Sequence, residues 1–169
     1  AERISTLSMN RGTVMHRLIE LYKLLNGSNT ERLSQLKEKA LVDQEISSFN
    51  EEFINEGWIM FMKFYLHSPT SFDRVEEVLE SETFLWSNIG YAGTVDNVSK
   101  IKDGRILVID YKNSRKPKKE EWIEDYYLQL SAYYVAYWQR QRIKANGAEI
   151  WMANEEDEKP QIFELDEKK

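Results

Sequence analysis

The stretch that decides the fold is Arg105-Ile106-Leu107-Val108-Ile109-Asp110-Tyr111-Lys112, an apolar run that turns charged at its end. The aliphatic run predicts a buried strand. Such a strand ordinarily ends in turn residues. This one ends in Asp110 and Lys112, whose spacing aims both side chains at the same face of a sheet. The segment before it carries Gly93-Thr94-Val95-Asp96, and Lys102-Asp103-Gly104 joins the two. With Gly104 in the left-handed position of a short hairpin loop, Ile101 pairs with Arg105. That register sets Asp96 directly opposite Asp110, with Lys112 beside them.

Two facing carboxylates are costly, because like charges about 4 Å apart repel by roughly 4 kcal/mol at an effective dielectric near 20. Either one of them is protonated or a cation sits between them. Oxygen ligands of this kind suit Mg or Mn. Such a metal polarises a phosphoryl oxygen and acidifies a bound water, while Lys112 orients or deprotonates the nucleophile or offsets developing negative charge. Asp96, Asp110 and Lys112 are therefore the candidate catalytic residues, and phosphodiester hydrolysis is the chemistry they suit. Asp-x-Lys alone is equally the mark of an exposed ion pair at a strand end. The apolar run and the hairpin-linked Asp96 add weight to the catalytic reading.

Outward from this hairpin, Arg74 to Trp86, Gly90 to Ile101 and Arg105 to Tyr111 read as three consecutive antiparallel strands. Asn113 to Lys119 reads as a polar connection. Glu120 to Lys144 is free of Gly and Pro and apolar at Trp122, Tyr126, Leu130, Tyr133, Tyr134 and Tyr137, which predicts a long helix. Asn146-Gly147 ends it, and Ala148 to Ala153 and Gln161 to Leu165 follow as short strands. The front half is helical. Helices are expected over Asn10 to Leu25, from a Thr30 cap to about Ile46, and over Phe49 to Leu66. The fold class is α/β: a helical N-terminal half, then a mixed sheet in βββαββ order flanked by helices. One domain over residues 1–169 is expected, with a helical section at about 10–66 and a catalytic sheet core at about 74–165.

A formal charge of −6 argues against a general basic footprint for nucleic acid. The charge is unevenly spread, however. Lys100 to Lys119 holds eight basic residues against two acidic ones, while the tail after Asn154 is mostly acidic. The basic segment is either a solvated loop or a phosphate contact. No apolar run approaches a membrane span and no signal peptide is legible, so a soluble protein with no membrane partner is expected. The chain begins at Ala1, so residues upstream of it have a place for processing or trimming. The absence of cysteine excludes an iron-sulfur cluster and fits a reducing compartment. A cytoplasmic location in a bacterium or phage-infected host is expected, or the mitochondrial matrix if the source is eukaryotic.

Gly93-x-x-Asp96, Asp110-Tyr111-Lys112 and Gln129-x-x-x-Tyr133, preceded by His16 on the first helix, resemble the RecB-type branch of the PD-(D/E)XK nucleases. Within that branch, Val108 to Lys118 is most similar to the mitochondrial genome maintenance exonuclease and its phage-encoded relatives. The resemblance covers Gly12 to Tyr133. It implies a restriction-endonuclease-like core and a metal held by His16, Asp96, Asp110 and the Tyr111 main-chain carbonyl. It also implies Lys112 as the catalytic lysine and DNA contacts at Gln129 and Tyr133, while Asn113, Ser114, Arg115 and Lys116, which leave the active-site strand directly, are expected DNA contacts from their position. The activity implied is that of an exonuclease on single-stranded DNA or free ends, in replication, repair or recombination. A duplex-resecting exonuclease, a structure-specific endonuclease and a non-catalytic nucleic-acid-binding module are the other readings. His16 has an alternative as an ordinary helix histidine, and Gln129 and Tyr133 as a packing pair. Glu80 and Glu82 either reach the metal or face solvent.

Overall fold

A computed structural model describes residues 2–86, 92–119 and 124–166. The chain forms two compact units, Ala1–Leu66 and His67–Lys169.

The first unit is helical: α1 (Glu2–Lys23), α2 (Asn29–Val42), α3 (Gln44–Ser47) and α4 (Glu51–Leu66). Helix α1 begins well before the expected Asn10, since neither Gly nor Pro interrupts Glu2 to Arg11. Helix α2 is capped by Ser28 rather than Thr30, because the Ser28 hydroxyl accepts the Glu31 N–H at 3.2 Å. It also stops at Val42, short of Ile46. Asp43 leaves the helical region there, caps α3 through the Ile46 N–H at 3.0 Å and takes the Arg17 guanidinium at 2.8 Å. Helices α1 and α4 pack closely at Gly57, where an added Cβ would collide with the Val14 side chain. Tyr22 and Phe61 meet edge to face nearby, at 5.4 Å.

The second unit opens with two short 3₁₀ turns and continues as β1 (Val75–Trp86), β2 (Ala92–Ile101), β3 (Ile106–Ser114), α5 (Glu124–Gln141), β4 (Gly147–Asn154) and β5 (Gln161–Asp166). The five strands form one sheet in sequential order. All neighbours are antiparallel except β3 and β4, which are parallel and joined through α5. The α/β class and the βββαββ order are thus those expected. Strand β3 runs three residues past Tyr111, because Lys112, Asn113 and Ser114 pair with Met152, Ala153 and Asn154 of β4. Gly90 and Tyr91 of the expected second strand, and Glu120 to Ile123 of the expected long helix, lie outside the described residues.

Helix α5 buries Leu130, Tyr133, Ala136 and Tyr137 in a core shared with Val98, Val108, Ala148, Ile150 and Met152 of the sheet. Both faces of β4 are buried. On its other side Glu149 takes a bidentate ion pair from Arg74, 2.8 Å on each arm, and the Trp151 indole N–H at 3.0 Å. Among the described residues, no helix is long and apolar enough to cross a membrane.

Candidate active site

The site sits where the β2–β3 ladder gives out. Gly104 has φ +96° and Ile101 N donates to Arg105 O at 2.8 Å, so the hairpin closes as its glycine requires. From that loop the pairing runs Lys100↔Ile106, Ser99↔Leu107, Val98↔Val108 and Asn97↔Ile109. The next step of the same register is Asp96 opposite Asp110. There a side chain replaces the ladder: Asp96 Oδ2 accepts the Tyr111 main-chain N–H at 2.8 Å. The far side of β3 stays paired, Asp110 with Ile150 and Tyr111 with Trp151. One edge of β3 is therefore held by the sheet and the other by a carboxylate.

Asp110 is 4% exposed. Burial, the charge of Asp96 and a hydrogen bond shared with the Asp96 carboxyl push its pKa up to about 8, with the Lys112 ammonium pulling the other way. Lys112 Nζ lies 3.2 Å from Asp110 Oδ2 and 4.9 Å from the centre of the Tyr126 ring on α5. Burial opposes its charge, but the Asp110 and Asp96 carboxylates outweigh that and hold its pKa above the ordinary lysine value. Lys112 is thus a fixed ammonium. The Tyr111 phenol is fully buried, and burial together with Asp96, Glu82 and Asp110 holds its pKa well above its usual value. Its ring packs on Trp151 at 5.7 Å, which leaves the main chain as the part of Tyr111 that faces the carboxylates.

A third carboxyl group joins this cluster. Ser81 pairs with Asn97 and Thr83 with Val95, which puts Glu82 opposite Asp96. A Glu82 carboxylate oxygen lies within 4.8 Å of one of Asp96. Glu82 holds φ +50°, a left-handed conformation that costs a non-glycine residue roughly 1–2 kcal/mol. The backbone thus takes an unfavoured conformation at the residue that reaches Asp96. No sequence signal distinguished Glu82 from its strand neighbours.

Asn113 and Ser114 extend β3, and Arg115 and Lys116 follow them into solvent. This basic segment is anchored. The Ser114 hydroxyl donates to Lys116 O at 2.6 Å, the Glu155 N–H donates to Ser114 O and Arg115 O at 3.2 Å, and Gln161 bonds both backbone groups of Lys118 at 2.8 Å. On α5 the Gln129 amide donates to the Tyr133 hydroxyl at 3.0 Å. Tyr133 is 3% exposed and lies in the core, while Gln129 is half-buried. The tyrosine thus holds the glutamine, which is the member of the pair nearer the surface. His16 stands half-buried on α1 of the helical unit.

Two mutually close, buried carboxyl groups, a third beside them and a fixed ammonium form a donor set suited to a hard divalent cation and to a phosphate oxygen. The model of the PD-(D/E)XK nuclease superfamily matches residues 2–168 of this chain. The crystal structure of SSO0001 is 16% identical to it, with a TM-score of 0.36, over 89% of this chain and 66% of that one. The chain thus spans 66% of the length of that solved structure. No curated protein matches the chain.

Proposed function

The chain belongs to the PD-(D/E)XK nuclease superfamily, and on that footing we propose that it is a metal-dependent DNA exonuclease of the RecB type that works on single strands or free ends. The observation that carries this is the pairing of buried Asp110 with Asp96 at the open end of the β2–β3 ladder, with Lys112 at 3.2 Å. Mg or Mn would be held by Asp96, Asp110, the Tyr111 carbonyl and His16. The His16 and Tyr111 assignments rest on the likeness to the RecB-type branch.

When bound, the metal supplies charge for the phosphoryl oxygens and acidifies a water. The chain's own residues do the rest. Asp96 holds the Tyr111 main chain in place through its N–H, and so orients the backbone between the two acidic side chains. Lys112, kept charged by its carboxylate neighbours, offsets negative charge that develops on the phosphate. Arg115 and Lys116, on the anchored segment that leaves β3, hold backbone phosphates together with Asn113 and Ser114. Gln129, braced by Tyr133, contacts the strand. These contacts read backbone and not sequence, which suits roles in repair or recombination.

The test is turnover of end-labelled linear single strands, linear duplex and circular single strands with Mg, Mn or EDTA. The proposal predicts metal-dependent loss of linear single strands, no cutting of circles and no reaction in EDTA. Cutting of circles would make the protein an endonuclease. Activity unchanged in EDTA, or in Lys112→Ala, would contradict the assignment of the site.

A further inference from the structure

We propose that Phe84 and Arg140, mounted on Trp86, form a second nucleic-acid contact that stacks a base and holds a phosphate of a single strand whose scissile bond lies at Asp96. This rests on the nuclease reading and extends it to how the strand is held away from the reacting phosphate.

Large aromatic side chains at the end of an edge strand ordinarily turn inward. Phe84 is 58% exposed and Trp86 46%, and their rings lie nearly parallel, 29° apart with centres at 6.1 Å. They therefore form a stacked aromatic pair, with Phe84 as its more open member. Arg140 of α5 lays its guanidinium 3.4 Å over the Trp86 indole and donates from Nε to Trp86 O at 3.0 Å. Among the described residues no carboxylate pairs with Arg140, so its charge is held beside the open ring and not neutralised. Another ring and guanidinium pair, Trp138 with Arg142 at 5.9 Å, extends the cationic character along the end of α5.

An open ring next to a fixed cation matches one nucleotide: the base has a face to stack and the phosphate a charge to satisfy. A purely apolar partner would gain nothing from Arg140. The position also fits the site. At about 3.3 Å per strand residue, Phe84 and Trp86 are roughly 7 and 13 Å along β1 from Glu82, which faces Asp96. A strand with one phosphate at Asp96 has its neighbouring nucleotides within reach of both rings.

The test is anisotropy of a labelled short oligo(dT) titrated in EDTA, so that binding is read without cutting. Phe84→Ala and Arg140→Ala should each weaken binding by roughly tenfold, the order of one lost stacked base. Phe84→Trp should bind like the wild type. Leu128→Ala, an exposed leucine on the same helix, should change nothing. The salt slope should fall by about one for Arg140→Ala and stay unchanged for Phe84→Ala. Thermal melting checks that each variant is folded. Wild-type affinity in both alanine variants would overturn the proposal and leave the patch to a protein partner, whether or not the wild type cuts DNA with Mn. If the wild type fails to cut yet both variants bind weakly, the contact stands and the nuclease reading falls.

Discussion

Asp96 Oδ2 accepts the main-chain N–H of Tyr111 at 2.8 Å, at the first position beyond the last β2–β3 ladder pair. This carboxylate does structural work and carries charge, and substitutions separate the two. Asp96→Asn keeps an oxygen acceptor for the amide and loses the charge. It should melt close to the wild type while Mn affinity falls on the order of a hundredfold or more. Asp96→Ala loses both and leaves a buried N–H, at a further cost of about 1–3 kcal/mol in denaturant unfolding.

The raised pKa of Asp110 sets the pH response of the metal-free protein. Its folded pKa, about 8, lies above the ordinary 3.8, so between those values the folded state keeps a proton that the unfolded chain has released. The associated stability is fully present below about pH 4 and is lost as pH rises through about 8. Urea unfolding in EDTA should show Asp110→Asn gaining on the wild type across that window. Added Mn should reverse the order, since it binds the protein with the charged ligand more tightly and so stabilises it more.

Arg74 and Glu149 are predicted to matter for the fold and not for the chemistry. Glu149 is 1% exposed, and its charge is matched by Arg74 and by the Trp151 N–H. Arg74→Met leaves a buried carboxylate without its cation and should cost on the order of 3 kcal/mol. Arg74→Met with Glu149→Gln should recover much of that loss. Mn affinity of the folded fraction should stay unchanged in both.

Glu82 brings a third carboxyl group within 4.8 Å of Asp96. Glu82→Gln should fold normally and weaken Mn binding by about tenfold, within the range of groups that support a ligand. Glu80→Gln on the same strand should leave Mn binding unchanged. Isothermal titration of both variants checks this.

The central hairpin was legible because its information is local: Gly104 demands a left-handed turn, and the Ile101–Arg105 pairing then counts Asp96 onto Asp110. Glu82 was legible only as one of two candidates, beside Glu80, with nothing to choose between them. Its place opposite Asp96 depends on two register shifts in β1, between Val75 and Glu77 and between Val78 and Glu80, and on a left-handed φ that glutamate rarely adopts. The extension of β3 to Ser114 was hidden for another reason. It is fixed by parallel pairing with β4, some 40 residues away, which overrides the polar character of Asn113 and Ser114. On α5, tyrosines occupy Tyr126, Tyr127, Tyr133, Tyr134 and Tyr137, so residue type alone could not separate buried Tyr133 and Tyr137 from half-buried Tyr126, Tyr127 and Tyr134. The helix boundaries at Ser28 and Asp43 turned on which of several capping side chains met a free N–H, a matter of backbone direction and not of composition.

The most direct test of the central claim is Mn binding followed by electron paramagnetic resonance, with wild type, Asp110→Asn and Lys112→Ala compared at the same pH. Wild type should take up Mn, Asp110→Asn should bind on the order of a hundredfold more weakly, and Lys112→Ala should bind it while failing to cut DNA. Equal Mn uptake by wild type and Asp110→Asn would contradict the account.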